Sequence, residues 1–290
     1  MSDWTIAQAE APVRLLASPS GDQTPRSAGS IALRSELMEI AMTMDRTVGF
    51  DPRNRGWARA TTATELDVGL RRHLLGIYNY MLAGLVLSGA VALFLANSGL
   101  NSLFYASSGQ LTAAGWTAVF SPLAILLLAS FTASRLSTAA THAVYWSVTA
   151  LLGVSLGLAF EAYTGESIAR VFFITAAAFG ALSLWGYTTK QSLTGWGSFL
   201  FIGLVGVVIA SIVNLFVMSS LLHFVVAGVG VVVFAGLTAY DTQRLKLEYA
   251  SGAFDTASAE RVRIWGALAL YLNFLNLFQL LLTFLGQRDE

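Results

Sequence analysis

An all-α membrane protein with seven transmembrane helices is the fold class this sequence predicts, on three observations. Seven apolar stretches, each about 20 residues long, fill the chain from residue 74 to its C-terminus, and about 20 apolar residues is what a helix needs to cross a bilayer. Charged residues sit almost entirely between those stretches. Lys and Arg are also shared very unequally between alternate connections. Composition agrees, with 55% hydrophobic residues, 12% charged residues and a mean hydropathy of +0.64. Soluble domains carry roughly 25% charged residues. A net charge of zero gives no electrostatic footprint for nucleic acid. The absence of Cys excludes disulfides and thiolate metal sites.

Residues 1–64 differ from the rest. They are rich in Ser, Thr, Ala, Arg, Asp and Glu, with little apolar periodicity, and read as a disordered cytoplasmic tail ahead of a transmembrane domain over 65–290. Within the tail, Leu33, Leu37, Ile40 and Met44 follow Ser30 at helical spacing. That pattern suits a transient helix or one lying on the membrane surface. Two readings of residues 1–43 stay open, a genuine tail or sequence ahead of a start at Met44. The first 70 residues contain no apolar signal-peptide core, so the first span, preceded by Arg71-Arg72-His73, would act as an uncleaved signal anchor.

The expected spans are 74–96, 116–134, 142–161, 168–187, 197–217, 221–241 and 264–285. Pro122 is expected to kink the second or mark its first turn. Gly153 and Gly157 in the third, and Gly228 and Gly230 in the sixth, let helix backbones approach closely. No internal repeat argues for an inverted-repeat transporter. The 97–115 connection is polar and uncharged, whereas the 242–263 connection carries Arg244, Lys246, Arg261 and Arg263 with Glu248, Asp255 and Glu260. Nine Lys and Arg residues precede the first span. Arg135, Lys190 and the four of 242–263 fall on the same side, against Arg170 and Arg288 on the other. That excess predicts a cytoplasmic N-terminus and, after seven spans, a C-terminus outside.

Ionisable groups inside the membrane are costly unless paired or wet, so the few that lie there can be weighed singly. Asp241 ends the sixth apolar run, in Tyr240-Asp241-Thr242-Gln243, either as an interfacial carboxylate paired with Arg244 or Lys246 or as a functional group. Asn273 and Asn276 lie in the seventh span, which runs antiparallel to the sixth, so an Asn273 amide can reach the Asp241 carboxylate. The alternative is simple interhelical glue. Arg135, ending the second span, is either a topology-setting charge or a partner that closes a gate by a salt bridge to Asp241. Glu161 and Glu166 flank the outer end of the third span and would gather cations at an outer mouth or serve as solvated loop charges. His73, His142 and His223 sit at span ends without metal-ligand spacing, and no carboxylate cluster supplies the six to eight oxygens of a tight Ca2+ site. Any cation bound at Asp241 is therefore expected to be weakly and transiently held. No phosphate loop, HExxH or GxSxG is present, and a single intramembrane Asp does not make an aspartic protease, so neither an enzyme nor a cofactor is expected.

Tyr240-Asp241-Thr242-Gln243, the run Tyr271-Leu-Asn-Phe-Leu-Asn-Leu-Phe278, and Leu70-Arg-Arg with Ile77-Tyr-Asn-Tyr-Met81 together resemble the Bax inhibitor-1 family in its bacterial, YccA-like branch, over about residues 65–288. The resemblance implies two layers of three helices around a central C-terminal helix and a pH-sensitive Ca2+ leak in the inner membrane. It implies two aspartates on the sixth and seventh helices sharing a proton, with an Arg at the end of the second helix latched onto them. Asp241 matches the first aspartate and Arg135 the latch, with Asn276, Tyr240, Thr242 and Gln243 around them. Asn273 stands where the second aspartate would be. Two close carboxylates respond to near-neutral pH because like charges repel, and with Asn273 that repulsion is gone. The family's pH sensing is accordingly not carried over. Bacterial relatives are also linked to the membrane-anchored AAA protease FtsH, for which the N-terminal tail would be a handle.

Overall fold

The computed structural model describes residues 63–106, 108, 110–251 and 256–287. The expected tail, with its stripe from Leu33 to Met44, lies outside these except for its last two residues. Seven helices are long and apolar enough to cross a membrane. They are α1 (Ala63–Ser98), α2 (Ala113–Thr132), α3 (Thr138–Phe160), α4 (Gly165–Thr188), α5 (Thr194–Val217), α6 (Ser220–Ala250) and α7 (Thr256–Leu285). A four-residue helical turn, Asn101–Phe104, and an isolated bridge between Tyr105 and Leu111 lie between α1 and α2, and a 3-10 turn, Ala133–Arg135, extends α2. The described residues contain no strand.

Local sequence explains where the helices begin. The hydroxyls of Thr112, Ser137, Thr164 and Ser219 accept from the backbone N–H of Gly115, Ala140, Ser167 and Leu222, capping α2, α3, α4 and α6. Three ends depart most from the hydropathy reading, and one of them is that of α7, which begins at Thr256 rather than near 264. α1 begins at Ala63 rather than near 74, which puts His73 inside the helix and buries it. α6 continues past 241 to Ala250, so Arg244, Lys246 and Glu248 are helical and the long 242–263 connection shrinks to 251–255. Hydropathy reports where lipid ends, whereas a hydrogen-bonded helix continues into water as long as its residues allow. α5 ends at Met218, whose left-handed φ of 52° is uncommon for a residue other than Gly, Asn or Asp. The Asn214 carboxamide oxygen accepts from the Ser219 N–H across this tight turn.

Pro122 lies well inside α2, past its first turn. It has no N–H to give the Ala118 carbonyl one turn back, and the Ser155 hydroxyl of α3 donates to that carbonyl instead at 3.2 Å. The loss of one intrahelical bond is thereby converted into a contact between helices.

α7 packs against α1, α3, α4 and α6, while α2 rests on α3 and α5 on α6. Small residues set the closest approaches. A Cβ on Gly153 would lie 2.8 Å from the Ser88 carbonyl oxygen of α1, and one on Gly186 of α4 would collide with the Ala239 carbonyl of α6. The interior is partly polar. The Ser88 hydroxyl lies 2.6 Å from the Tyr271 hydroxyl of α7 and 2.7 Å from the Thr149 carbonyl of α3. The Tyr145 hydroxyl donates to the Tyr80 carbonyl at 2.5 Å. Water is absent from the hydrocarbon, so each of these groups has to be satisfied by protein.

Candidate functional site

Asp241 stands on α6 nine residues before the helix ends, about 14 Å at 1.5 Å per residue. It is 7% exposed. Asn273 of the antiparallel α7 is buried beside it, and its Nδ2 donates to Asp241 Oδ2 at 2.8 Å. Asp241 Oδ1 faces Arg244 Nη2 at 3.4 Å. Arg244 is more exposed and also reaches Glu248 Oε1 at 3.5 Å, so it links the buried carboxylate to the basic end of the bundle. The site therefore holds one carboxylate, one amide and one guanidinium.

The residues around Asp241 have structural duties. The Gln243 side chain clasps the α4–α5 connection, accepting from the Leu193 N–H at 2.7 Å and donating to the Gln191 carbonyl at 2.8 Å. Thr242 donates to the Thr238 carbonyl of its own helix and lies 3.4 Å from the Ser183 hydroxyl of α4. The Tyr240 ring packs where Gly197 of α5 leaves room, since a Cβ there would stand 2.7 Å from the ring. Lys246 donates to the Tyr187 carbonyl at 2.8 Å and lies over that ring. This set fixes α6 against α4 and α5, and so fixes the depth and bearing of Asp241.

Other expected members are not brought to Asp241. Arg135 is exposed at the end of its 3-10 turn, and among the described residues the cation paired with Asp241 is Arg244. Position explains this: Arg244 lies one helical turn from Asp241 on the same helix, whereas Arg135 belongs to the α2–α3 connection. That connection is tied to α7 by Arg261 Nη1 donating to the Leu136 carbonyl at 3.1 Å. Asn276 donates to the Leu272 carbonyl of its own helix. Glu161 caps α3 and Glu166 opens α4, at the end of the bundle opposite Asp241. Nearby, burial first and the Glu161 charge second push the Tyr105 hydroxyl above its ordinary pKa. Among the described residues no three His, Asp or Glu side chains gather as metal ligands.

A second polar cluster has no signal in the sequence. Glu260 of α7 accepts from the Tyr80 hydroxyl of α1 at 2.6 Å and from Arg263 Nη1 at 3.3 Å, with His142 Nε2 of α3 3.9 Å away. Arg263 Nε in turn donates to His73 Nδ1 at 3.3 Å. Glu260 had read as one loop charge among several, and the partners that distinguish it lie about 120 and 180 residues away.

A profile of the family described as "Inhibitor of apoptosis-promoting Bax1" matches residues 70–290. An uncharacterised protein of Caulobacter vibrioides is 46% identical over 248 residues, 82% of this chain and 98% of that protein. An uncharacterised protein of Rickettsia prowazekii is 41% identical, covering 77% of this chain and 93% of its own length. The Escherichia coli inner membrane protein YbhL is 39% identical over 232 residues, 79% of this chain and 97% of its own. A match spanning all seven helices, together with these relatives, shows that the chain belongs to the Bax inhibitor-1 family.

Proposed function

We propose that this chain is a Ca2+ or general cation leak channel of the bacterial inner membrane, with its N-terminus in the cytoplasm, its C-terminus outside and Asp241 as gate and weak cation site. One observation supports the reading above others. A carboxylate lies buried more than two turns inside the end of α6, held by one amide and by a guanidinium that is itself open to solvent. A buried charge of this kind is expensive in a membrane and is a functional candidate for that reason. An entering cation competes with Arg244 for the same oxygens, while Asn273 holds the carboxylate in place as a neutral partner. One carboxylate and one amide oxygen fall far short of the six to eight oxygens of a storage site, so binding is transient. Arg135 is the latch of a closed state, as in the family's pattern, with three-helix layers α1–α3 and α4–α6 closing around α7.

The test is Ca2+ flux into proteoliposomes from acid to mildly alkaline pH. Asp241→Asn is expected to lower flux at least tenfold. Asn273→Asp, which introduces a second carboxylate, is expected to sharpen the pH dependence of flux. Arg135→Ala and Arg244→Ala are expected to raise resting flux. Folded protein without flux above empty liposomes in every variant would overturn the channel. The polar sequence ahead of α1 favours a second reading, a non-conducting modulator or substrate of the membrane protease FtsH. Altered proteolysis after deletion of residues 1–64, without any flux to lose, would support it.

A further inference from the structure

Two concavities share residues of α1, and neither is lined by Asp241 or Asn273. A groove of ≈ 630 Å3 runs between α1 and α4, with Phe274 of α7 among its lining residues, and is walled almost entirely by apolar side chains. It extends from Arg71 to Leu85 on α1, about 21 Å at 1.5 Å per residue. Half of a hydrocarbon core is about 15 Å thick, so the groove has the length to take one acyl chain of a leaflet. Leu75, Leu82 and Leu184 along it are more than half exposed. A second concavity of ≈ 480 Å3 adjoins it, and Arg71, Arg72, Arg263 and Asn79 line it together with apolar residues of α1. Arg71 and Leu75 belong to both.

The order of the two along α1 matches that of a lipid, with the cationic donors Arg71 and Arg72 toward its N-terminal part and an apolar channel running on to Leu85. Among the described residues, Arg71 and Arg72 form no ion pair, and Arg263 is shared with Glu260 and His73. Among the described side chains these three guanidiniums face one carboxylate, which leaves excess positive charge, and guanidinium forks suit phosphate oxygens. We propose that this double concavity is a binding site for one anionic phospholipid, its phosphate on Arg71, Arg72 and Arg263 and one acyl chain in the α1–α4 groove. Zwitterionic lipid carries an ammonium that the same arginines repel, so the site selects by headgroup charge.

The test uses the full-length protein in detergent and reads lipid adducts by native mass spectrometry with added dioleoylphosphatidylglycerol or dioleoylphosphatidylcholine. Thermal stability is followed in parallel, with inorganic phosphate as a further arm. Phosphatidylglycerol is expected to bind at least tenfold more tightly than phosphatidylcholine. Replacing both Arg71→Gln and Arg72→Gln should erase that preference. Gly180 lines the groove and a Cβ there meets nothing within 4 Å, so Gly180→Leu extends a side chain from an open position into the groove and should weaken phosphatidylglycerol at least tenfold at unchanged fold. Leu75→Trp serves as a second filling variant. Equal affinity for the two lipids, full binding in the filled variants, or the same stabilisation by phosphate alone would overturn the proposal. So would a photo-reactive side chain at position 184 that captures residues 1–62 or a second copy of the chain instead of lipid.

Discussion

α5 and α7 are both apolar helices long enough to cross the membrane, and they meet opposite surroundings. α5 is the most apolar of the seven, yet only 11% of its most apolar stretch is buried in the protein, against 50% for α7. α7 carries Tyr271, Asn273, Asn276 and Gln279 along its length. The polar groups of α5 are used locally, as when the Ser211 hydroxyl donates to the Val207 carbonyl one turn back. In water the more apolar helix would be the buried one. In lipid, hydrocarbon solvates apolar side chains as well as a protein core does, so what drives a helix to the centre is a set of polar groups in need of partners and a surface small enough for close packing.

Three substitutions sharpen this comparison, from the largest expected effect to the smallest. Gly186→Leu drives a side chain into the α6 backbone at Ala239, where no flexible atom can yield. It should cost about 3 kcal/mol and reduce the yield of folded protein, measured as loss of the monodisperse peak and of the thermal transition. Ser88→Ala removes the hydroxyl that joins α1, α3 and α7, and should cost about 1 kcal/mol in reversible unfolding. Combined with Tyr271→Phe, its effect should be less than additive, because the two hydroxyls bond each other. Full additivity would show that the polar interior is not a connected unit. Phe216→Ala on α5, where the side chain is 81% exposed, should shift stability by less than about 0.5 kcal/mol. A loss like that of Ser88→Ala would break the comparison, since it would mean that α5 is covered by something other than lipid.

The same physics explains how far the sequence could be read. Each of the seven spans was visible because the bilayer imposes a length and a composition that little else satisfies. Their ends were not, and α6 shows why: nothing in Arg244, Lys246 or Glu248 breaks a helix, so hydrogen bonding carried it nine residues beyond the apolar run. Asp241 was conspicuous as a lone carboxylate, and Asn273 could be paired with it because adjacent antiparallel helices fix relative depth. Gln243 as a clasp on the α4–α5 connection, or Glu260 as the centre of a polar cluster, could not be foreseen. Their partners are set by helix rotation about the axis, which apolar periodicity leaves undetermined when every face of a helix is greasy.

By itself, then, the sequence determined the solvent of this protein, the number of its crossings, its family and the one charge worth explaining, because each depends on local composition or on a short matched run. The tertiary structure decided which cation meets that charge among the described residues, Arg244, and how unequally the helices are buried, from 11% of the most apolar stretch of α5 to 50% of that of α7. It also decided that three arginines from α1 and α7 stand together beside an apolar groove. Those outcomes depend on the rotation and tilt of helices about 30 residues long, where turning a helix by a fraction of a turn exchanges every neighbour, and only the packed bundle fixes that angle.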